Sequence, residues 1–444
     1  MTEKSVLITS SPLLGHLTPG VLIGAELARR GHRVRVLTGA RHRERVERAG
    51  LEFVPLDVAA DFDDRDMRSA FPQVADLTGI RGLSAGVLEV FSKPVDAQFA
   101  SVERALGDVP TDVVLSEMLF AGVYPLALLP KSERPRIGIL GISPMTLGAP
   151  GLPPYGMGLL PATGPIGSLR NWILYQAANR VVLRPAQKYL AQAMRRLTDT
   201  TLSVPFFEMP GLGDALIHLG TQGFEYPRPR PRTRLIFAGP LSSRNVGGEV
   251  PDWAEDIEGR KVVHVTQGTV ANADLRELVV PTVESLRGTE TLVVITGGGR
   301  PADEVLTELR QHLGELPDNI RVSTFLDYEW LFPRIQLFIT NGGYGGVNEA
   351  LRHAVPVVVV GNTEDKPEVA ARVEWSRVGV RVRSTLPSAG EMRKAIDLVL
   401  GDPSFRDRAA TMSEEIASSP GLDVIEEFVT QPSGAASADN SPST

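Results

Sequence analysis

The run Leu337-Phe338-Ile339, the turn Asn341-Gly342-Gly343-Tyr344-Gly345-Gly346 and the apolar positions Val347, Ala350, Leu351 and Ala354 constrain the fold more than any other stretch. The apolar run predicts a buried strand, and the i, i+3, i+4, i+7 spacing after the glycines predicts a helix with one buried face. Glycines let the backbone come close to a ligand, and the first N–H groups of a helix have no partner within it. With the helix dipole added, a phosphate or diphosphate is the expected guest of such a turn. Glu349, one helical turn further on, is placed to accept hydrogen bonds from ribose hydroxyls. A plain glycine turn of an α/β domain reads the same way, so the surrounding chain decides.

That chain opens as a βαβ unit. Val6-Leu7-Ile8 reads as a strand, residues 10–18 as a loop, and Pro19 onward as a helix with Thr18 as N-cap and Gly31 as its stop; Val34–Thr38 resumes as a strand. Further strands are expected at 112–117, 137–143, 215–219, 262–266, 292–295, 320–322 and 355–360, so a doubly wound parallel sheet with crossover helices follows. At 444 residues the chain exceeds one ordinary core. The division expected is a domain over 1–226, a proline-rich linker region over 227–260, a second domain over 261–430 with its last helix crossing back to the first, and a disordered Ser/Ala/Pro-rich tail over 431–444. A formal charge of −7 without a dense Lys/Arg cluster argues against a general nucleic-acid binder. The absence of cysteine removes disulfides and thiolate chemistry. No apolar span reaches transmembrane length and the N-terminus is too short for a signal peptide, so a cytoplasmic protein without stable membrane insertion is expected.

Around the turn, Thr340-Asn341-Gly342-Gly343, Gly345-Gly346, Glu349-Ala350-Leu351, Ala354-Val355-Pro356 and Asp365-Lys366 resemble the donor signature of the UDP-glycosyltransferase superfamily, whose usual form is T-H-x-G, G-[SN], E-A-L, G-V-P and [DE]-Q. Three positions depart from it: Asn341 stands for the phosphate-donating histidine, Gly346 for a side-chain donor, and Lys366 for the glutamine that reads sugar hydroxyls. An Asn amide still donates, without charge. The opening loop, Gly15-His16 followed by Pro19, resembles the family's G-H-x-x-P loop, and Glu117 stands where the family has the aspartate that holds the histidine, with Ser116 as the alternative partner. Gln267-Gly268-Thr269 resembles the S-[FL]-G-[ST] step, and Phe325-Leu326-Asp327-Tyr328 takes the place of W-x-P-Q, with Phe325 as the face on which uracil stacks.

The resemblance implies a GT-B fold, two Rossmann-like domains facing across a cleft, and inverting transfer of a sugar from a nucleotide diphosphate donor to an acceptor hydroxyl. It makes His16 the base and Glu117 its support. It assigns the donor to Gly268, Thr269, Phe325, Leu326, Tyr328, Asn341, Gly343, Gly345, Gly346, Val347, Glu349, Asp365 and Lys366, with no metal and no cofactor beyond the nucleotide sugar. The apolar, Gly/Pro-rich stretch 148–167 and its flanks suggest a wall for a hydrophobic acceptor, with Met145, Leu147, Tyr155 and Trp172 as candidates. Asp61-Phe62-Asp63-Asp64-Arg65-Asp66 has the D-x-D spacing of metal-dependent transferases but reads as a solvated acidic loop. A nicotinamide oxidoreductase would need G-x-G-x-x-G after the first strand, which is absent. A nucleotide-sugar epimerase and a non-catalytic binder on the same fold stay open.

Overall fold

A computed structural model describes residues 2–77, 79–162, 164–229, 231–241, 248–269, 272–361, 363 and 365–431. The expected tail lies outside these residues apart from Gln431. Seven strands form the first sheet: β1 (Ser5–Thr9), β2 (Arg33–Thr38), β3 (Glu52–Pro55), β4 (Val113–Glu117), β5 (Arg136–Gly141), β6 (Ala215–His218) and β7 (Arg234–Phe237). Their spatial order is β3-β2-β1-β4-β5-β6-β7, every pair parallel. The second sheet has β8 (Val262–Thr266), β9 (Leu292–Thr296), β10 (Ile320–Ser323), β11 (Leu337–Thr340), β12 (Val357–Val360) and β13 (Gly379–Val382), in the order β10-β9-β8-β11-β12-β13 and again parallel throughout. Each is a doubly wound sheet whose strand order reverses beside its first strand, between β1 and β4 and between β8 and β11.

The central strands read as apolar runs because both their faces are covered. On β1, Val6 and Ile8 point into one hydrophobic cluster and Leu7 into another; on β11, Leu337 and Ile339 face one way and Phe338 the other. β7 falls inside the stretch expected to link the domains.

The last helix, Leu422–Thr430, returns to the first domain, where Ile425, Phe428 and Val429 join the cluster of β1, β4 and β6. Arg30 pairs with Asp423 at 2.8 Å and with Glu426, and Arg136 donates to the Val429 carbonyl at 3.0 Å. Among the described residues no helix is long and apolar enough to cross a membrane.

Candidate active site

At the first reversal point the loop after β1 meets the end of β4. The helix there runs from Leu14 to Arg29, so it begins five residues before the expected start at Pro19, and Thr18 is not its N-cap. Its first turn is held from outside: the Asp64 carboxylate accepts from the Leu14 amide at 2.7 Å and pairs with Arg41. This supplies the terminal acceptor that neither Leu13 nor Thr18 provides, and the Thr18 hydroxyl instead donates back to the Leu14 carbonyl at 2.8 Å. Asp61 likewise accepts from the Ala40 amide at 2.9 Å, and Asp66 caps the short helix Met67–Ala70. The acidic run is therefore structural support for the loop rather than a merely solvated segment.

His16 consequently sits in the first turn of a helix, with Nδ1 3.2 Å from Glu117 Oε2 and its ring stacked on Phe91 at 5.7 Å between centroids. Glu117 is buried and fully engaged: Ser11 Oγ donates to Oε1 at 2.5 Å and the Leu119 amide to Oε2 at 2.7 Å. Burial alone would raise its pKa, but the charge and hydrogen bond of His16, with those of Ser11 and the Leu119 amide, hold it below the ordinary value. Ser116 faces Thr9, whose hydroxyl donates to it at 2.8 Å, so Glu117 and not Ser116 partners the imidazole. Sequence reasoning missed Ser11 and Phe91. A hydroxyl beside a buried carboxylate and a ring beside the histidine become visible only once β1, β4 and the segment Val87–Ser92 are folded together.

At the second reversal point β8 is followed by Gln267-Gly268-Thr269 and β11 by Asn341-Gly342-Gly343. The Asn341 amide donates to the Gln267 carbonyl, tying the two loops. The turns need glycine: Gly268 has φ +71° and Gly342 φ +95°, and a Cβ on Gly298 would stand 1.9 Å from the Gly268 carbonyl oxygen. The helix Tyr344–Arg352 starts inside the glycine run with Gly343 as N-cap. The Val347 amide donates to the Gly343 carbonyl at 3.1 Å, so the amides without an intrahelical partner by geometry are those of Gly343, Tyr344, Gly345 and Gly346; the expected use of Val347 is corrected accordingly. A Cβ on Gly343 or Gly345 would meet nothing within 4 Å, which leaves open space before this helix end.

The other donor candidates divide. Phe325 is 50% exposed, close to Gly299, as a stacking face requires, and Thr269 is exposed beside Gly268. Leu326 and Tyr328 are core residues: Leu326 is buried, and Tyr328 packs edge-on against His264 and Phe332, its phenol pushed up to about 12 by burial. The chain enters the short helix Tyr328–Leu331 at this point. Glu349 is buried and bonded to Arg352 at 2.6 Å, with His353 at 3.4 Å, so a ribose would have to share it with these two side chains. Glu329 completes this cluster through Arg352. Lys366 is buried beside Gly342, its ammonium 3.4 Å from the Thr363 hydroxyl, and Asp365 precedes it at the head of the helix Lys366–Ser376.

On the acceptor side, Met145 and Leu147 are buried and their carbonyls accept from Arg228 at 2.9 and 2.6 Å. Tyr155 packs on Phe207 at 4.8 Å; burial, and then the charges of Asp365 and Glu368, push its phenol well above the usual value. Trp172 is 61% exposed on the helix Gly164–Ala177, whose buried residue is Asn171. Asn171 turns inward there because its amide donates to the Gly151 carbonyl at 2.7 Å and so anchors the irregular stretch.

Residues 14–113 match the glycosyltransferase family 28 N-terminal domain, and residues 302–430 match the erythromycin biosynthesis protein CIII-like C-terminal domain. The 4'-demethylrebeccamycin synthase of Lentzea aerocolonigenes is 37% identical over 96% of this chain and 99% of its own. UDP-glycosyltransferase 2 of Phaeomoniella chlamydospora is 32% identical, covering 97% of this chain and 96% of its own. The chain belongs to the UDP-glycosyltransferase superfamily. It is a glycosyltransferase of natural-product type with the GT-B fold. The spinosyn rhamnosyltransferase SpnG, solved with thymidine diphosphate and with spinosyn aglycone, matches this glycosyltransferase with TM-scores of 0.65 and 0.66 at 18% identity, over 96% of this chain and 100% of its own.

Proposed function

We propose that this glycosyltransferase works with inversion, moving a sugar from a UDP-sugar to a hydroxyl of a hydrophobic small molecule. The observation that carries this reading is the buried Glu117 fixed on Nδ1 of His16 at the reversal point of the first sheet. A carboxylate on Nδ1 sets the tautomer that makes Nε2 the proton acceptor and stabilises the imidazolium that forms. Nε2 takes the acceptor proton as the acceptor oxygen attacks the anomeric carbon, and the bond from that carbon to the diphosphate oxygen breaks on the opposite face. The first-turn amides of Tyr344, Gly345 and Gly346, with the dipole behind them, meet the charge that grows on the leaving diphosphate. The name of the Phaeomoniella chlamydospora relative supports uracil in the donor, and the aglycone bound by SpnG supports a small-molecule acceptor.

The test compares wild type with His16→Ala on UDP- and dTDP-sugars, with UDP binding followed by calorimetry. Transfer by the variant should fall about 10²- to 10⁴-fold while UDP affinity stays within about twofold, since the base acts on the acceptor and the nucleotide is held by the other domain. Undiminished transfer would remove His16 from the mechanism, and a wild type silent on every donor and acceptor would favour the binder. Because amides and the helix dipole serve the diphosphate, turnover should persist after dialysis against EDTA. Loss restored by one divalent cation would overturn that part.

A further inference from the structure

The acceptor-side strap from Met145 to Gly158 belongs to the first domain by sequence, yet it is fastened to the second. The helix Lys366–Ser376, which starts directly after Asp365, carries the fastening. Glu368 Oε1 accepts from the Gly156 and Gly158 amides at 3.0 and 2.8 Å, and its Oε2 accepts from Arg372 Nη1 at 2.9 Å. Arg372 also donates from Nε to Glu225 Oε2 at 2.9 Å and from Nη2 to the Met145 carbonyl at 3.1 Å, while its guanidinium lies 4.5 Å over the Tyr226 ring. Glu225 Oε1 closes the circuit by accepting from the Met145 amide at 2.9 Å, and Arg381 donates to the Gly158 carbonyl at 2.7 Å. Glu225, Glu368 and Arg372 are each at most 3% exposed.

Buried charges are a poor adhesive, because desolvation offsets much of their attraction and apolar contacts would join two domains at less cost. What a guanidinium fork held between two carboxylates does supply is direction, in bonds of fixed length and angle. The bonds fix one particular object, the strap carrying Tyr155, whose phenol feels the charge of Asp365 across the cleft. The fit is tight: Gly158 has φ +55°, and a Cβ there would lie 2.5 Å from the Pro367 carbonyl oxygen.

Resting on the reading of this cleft as a transferase site, we propose that Glu368 and Arg372 are positioning residues that seat the acceptor strap against the helix leading from the donor loop, making acceptor affinity depend on that helix. Donor binding that steadies Asp365 then tightens acceptor binding, and the coupling is reciprocal. Two variants test this without orphaning the buried arginine. Glu368→Gln keeps shape and one acceptor oxygen and leaves Arg372 paired with Glu225, whereas Gly158→Ala pushes the strap off Pro367 and alters no charge.

Amide hydrogen exchange over residues 145–162, with and without UDP, should speed up about 10- to 100-fold in both variants, as loss of charge-assisted hydrogen bonds implies, while the strands of both sheets exchange as in wild type. With a donor and acceptor pair that wild type turns over, acceptor KM should rise about tenfold and donor KM stay within about twofold. Unchanged exchange in the strap, or equal rises in both KM values, would overturn the proposal. Exchange needs no turnover, so a failure of the transferase reading would show separately, as a wild type inactive on every pair.

Discussion

At the scale of the residue, the His16–Glu117 pair depends on contacts far apart in sequence. Glu117→Gln should cut kcat by about 10²-fold or more, because an amide can present its N–H₂ to Nδ1 and stabilise the wrong tautomer. UDP binding should be unaffected, and single-turnover transfer at saturating donor measures the loss. Ser11→Ala removes only one of the bonds to Glu117 and should cost about tenfold or less, that is, at most about 1.4 kcal/mol. The depressed carboxyl of Glu117 also gives pH dependence a sign. A group whose folded pKa lies below its unfolded value stabilises the fold above that unfolded value, 4.5 here, and loses the contribution as pH falls through the folded value.

At the scale of the element, His264 on β8 is buried against Tyr328, Phe332 and Phe338; its Nδ1 lies 3.0 Å from the Val294 carbonyl and its Nε2 3.5 Å from the Tyr328 hydroxyl. Burial lowers its pKa from 6.5 to about 4. The unfolded chain therefore binds the extra proton between these values, and stability should fall as pH drops from 6.5 toward 4, by about 3 kcal/mol at most. Urea denaturation at a series of pH values reads this slope, and His264→Phe should abolish its portion between pH 6.5 and 5. The elements that escaped sequence reading share one property. β3, β7 and β13 are four-residue edge strands: β3 and β13 have no apolar run of three, and the run Leu235-Ile236-Phe237 of β7 lies inside the proline-rich stretch read as a linker.

At the scale of the whole molecule, the last helix acts as a strap from the second domain onto the first. Phe428 is buried over Gly138, where an added Cβ would lie 2.8 Å from its ring, and Arg136 stacks on it at 5.1 Å. Phe428→Ala should cost about 3–5 kcal/mol, measured as a shift in the urea midpoint of the first domain's unfolding. Removal of Ile425, Phe428 and Val429 together by truncation should give insoluble protein, since their apolar seat beside β1, β4 and β6 would then face water.

The pairing of His16 with Glu117 was implied only by the family resemblance, whereas local rules were enough to determine the parallel sheets and the glycine turn at a helix start. Both depend on periodicity or backbone freedom, which a linear string records. Tertiary structure alone decided that the helix of His16 begins at Leu14, because its cap is Asp64, fifty residues along. It likewise decided that Leu326 is buried and Tyr328 packs against His264 and Phe332, that Asn171 and not Trp172 turns inward, and that Glu225, Glu368 and Arg372 converge between the domains. These outcomes depend on which distant groups share a buried volume, where an unpartnered charge or amide is costly, and that sharing is set only when both sheets close on each other.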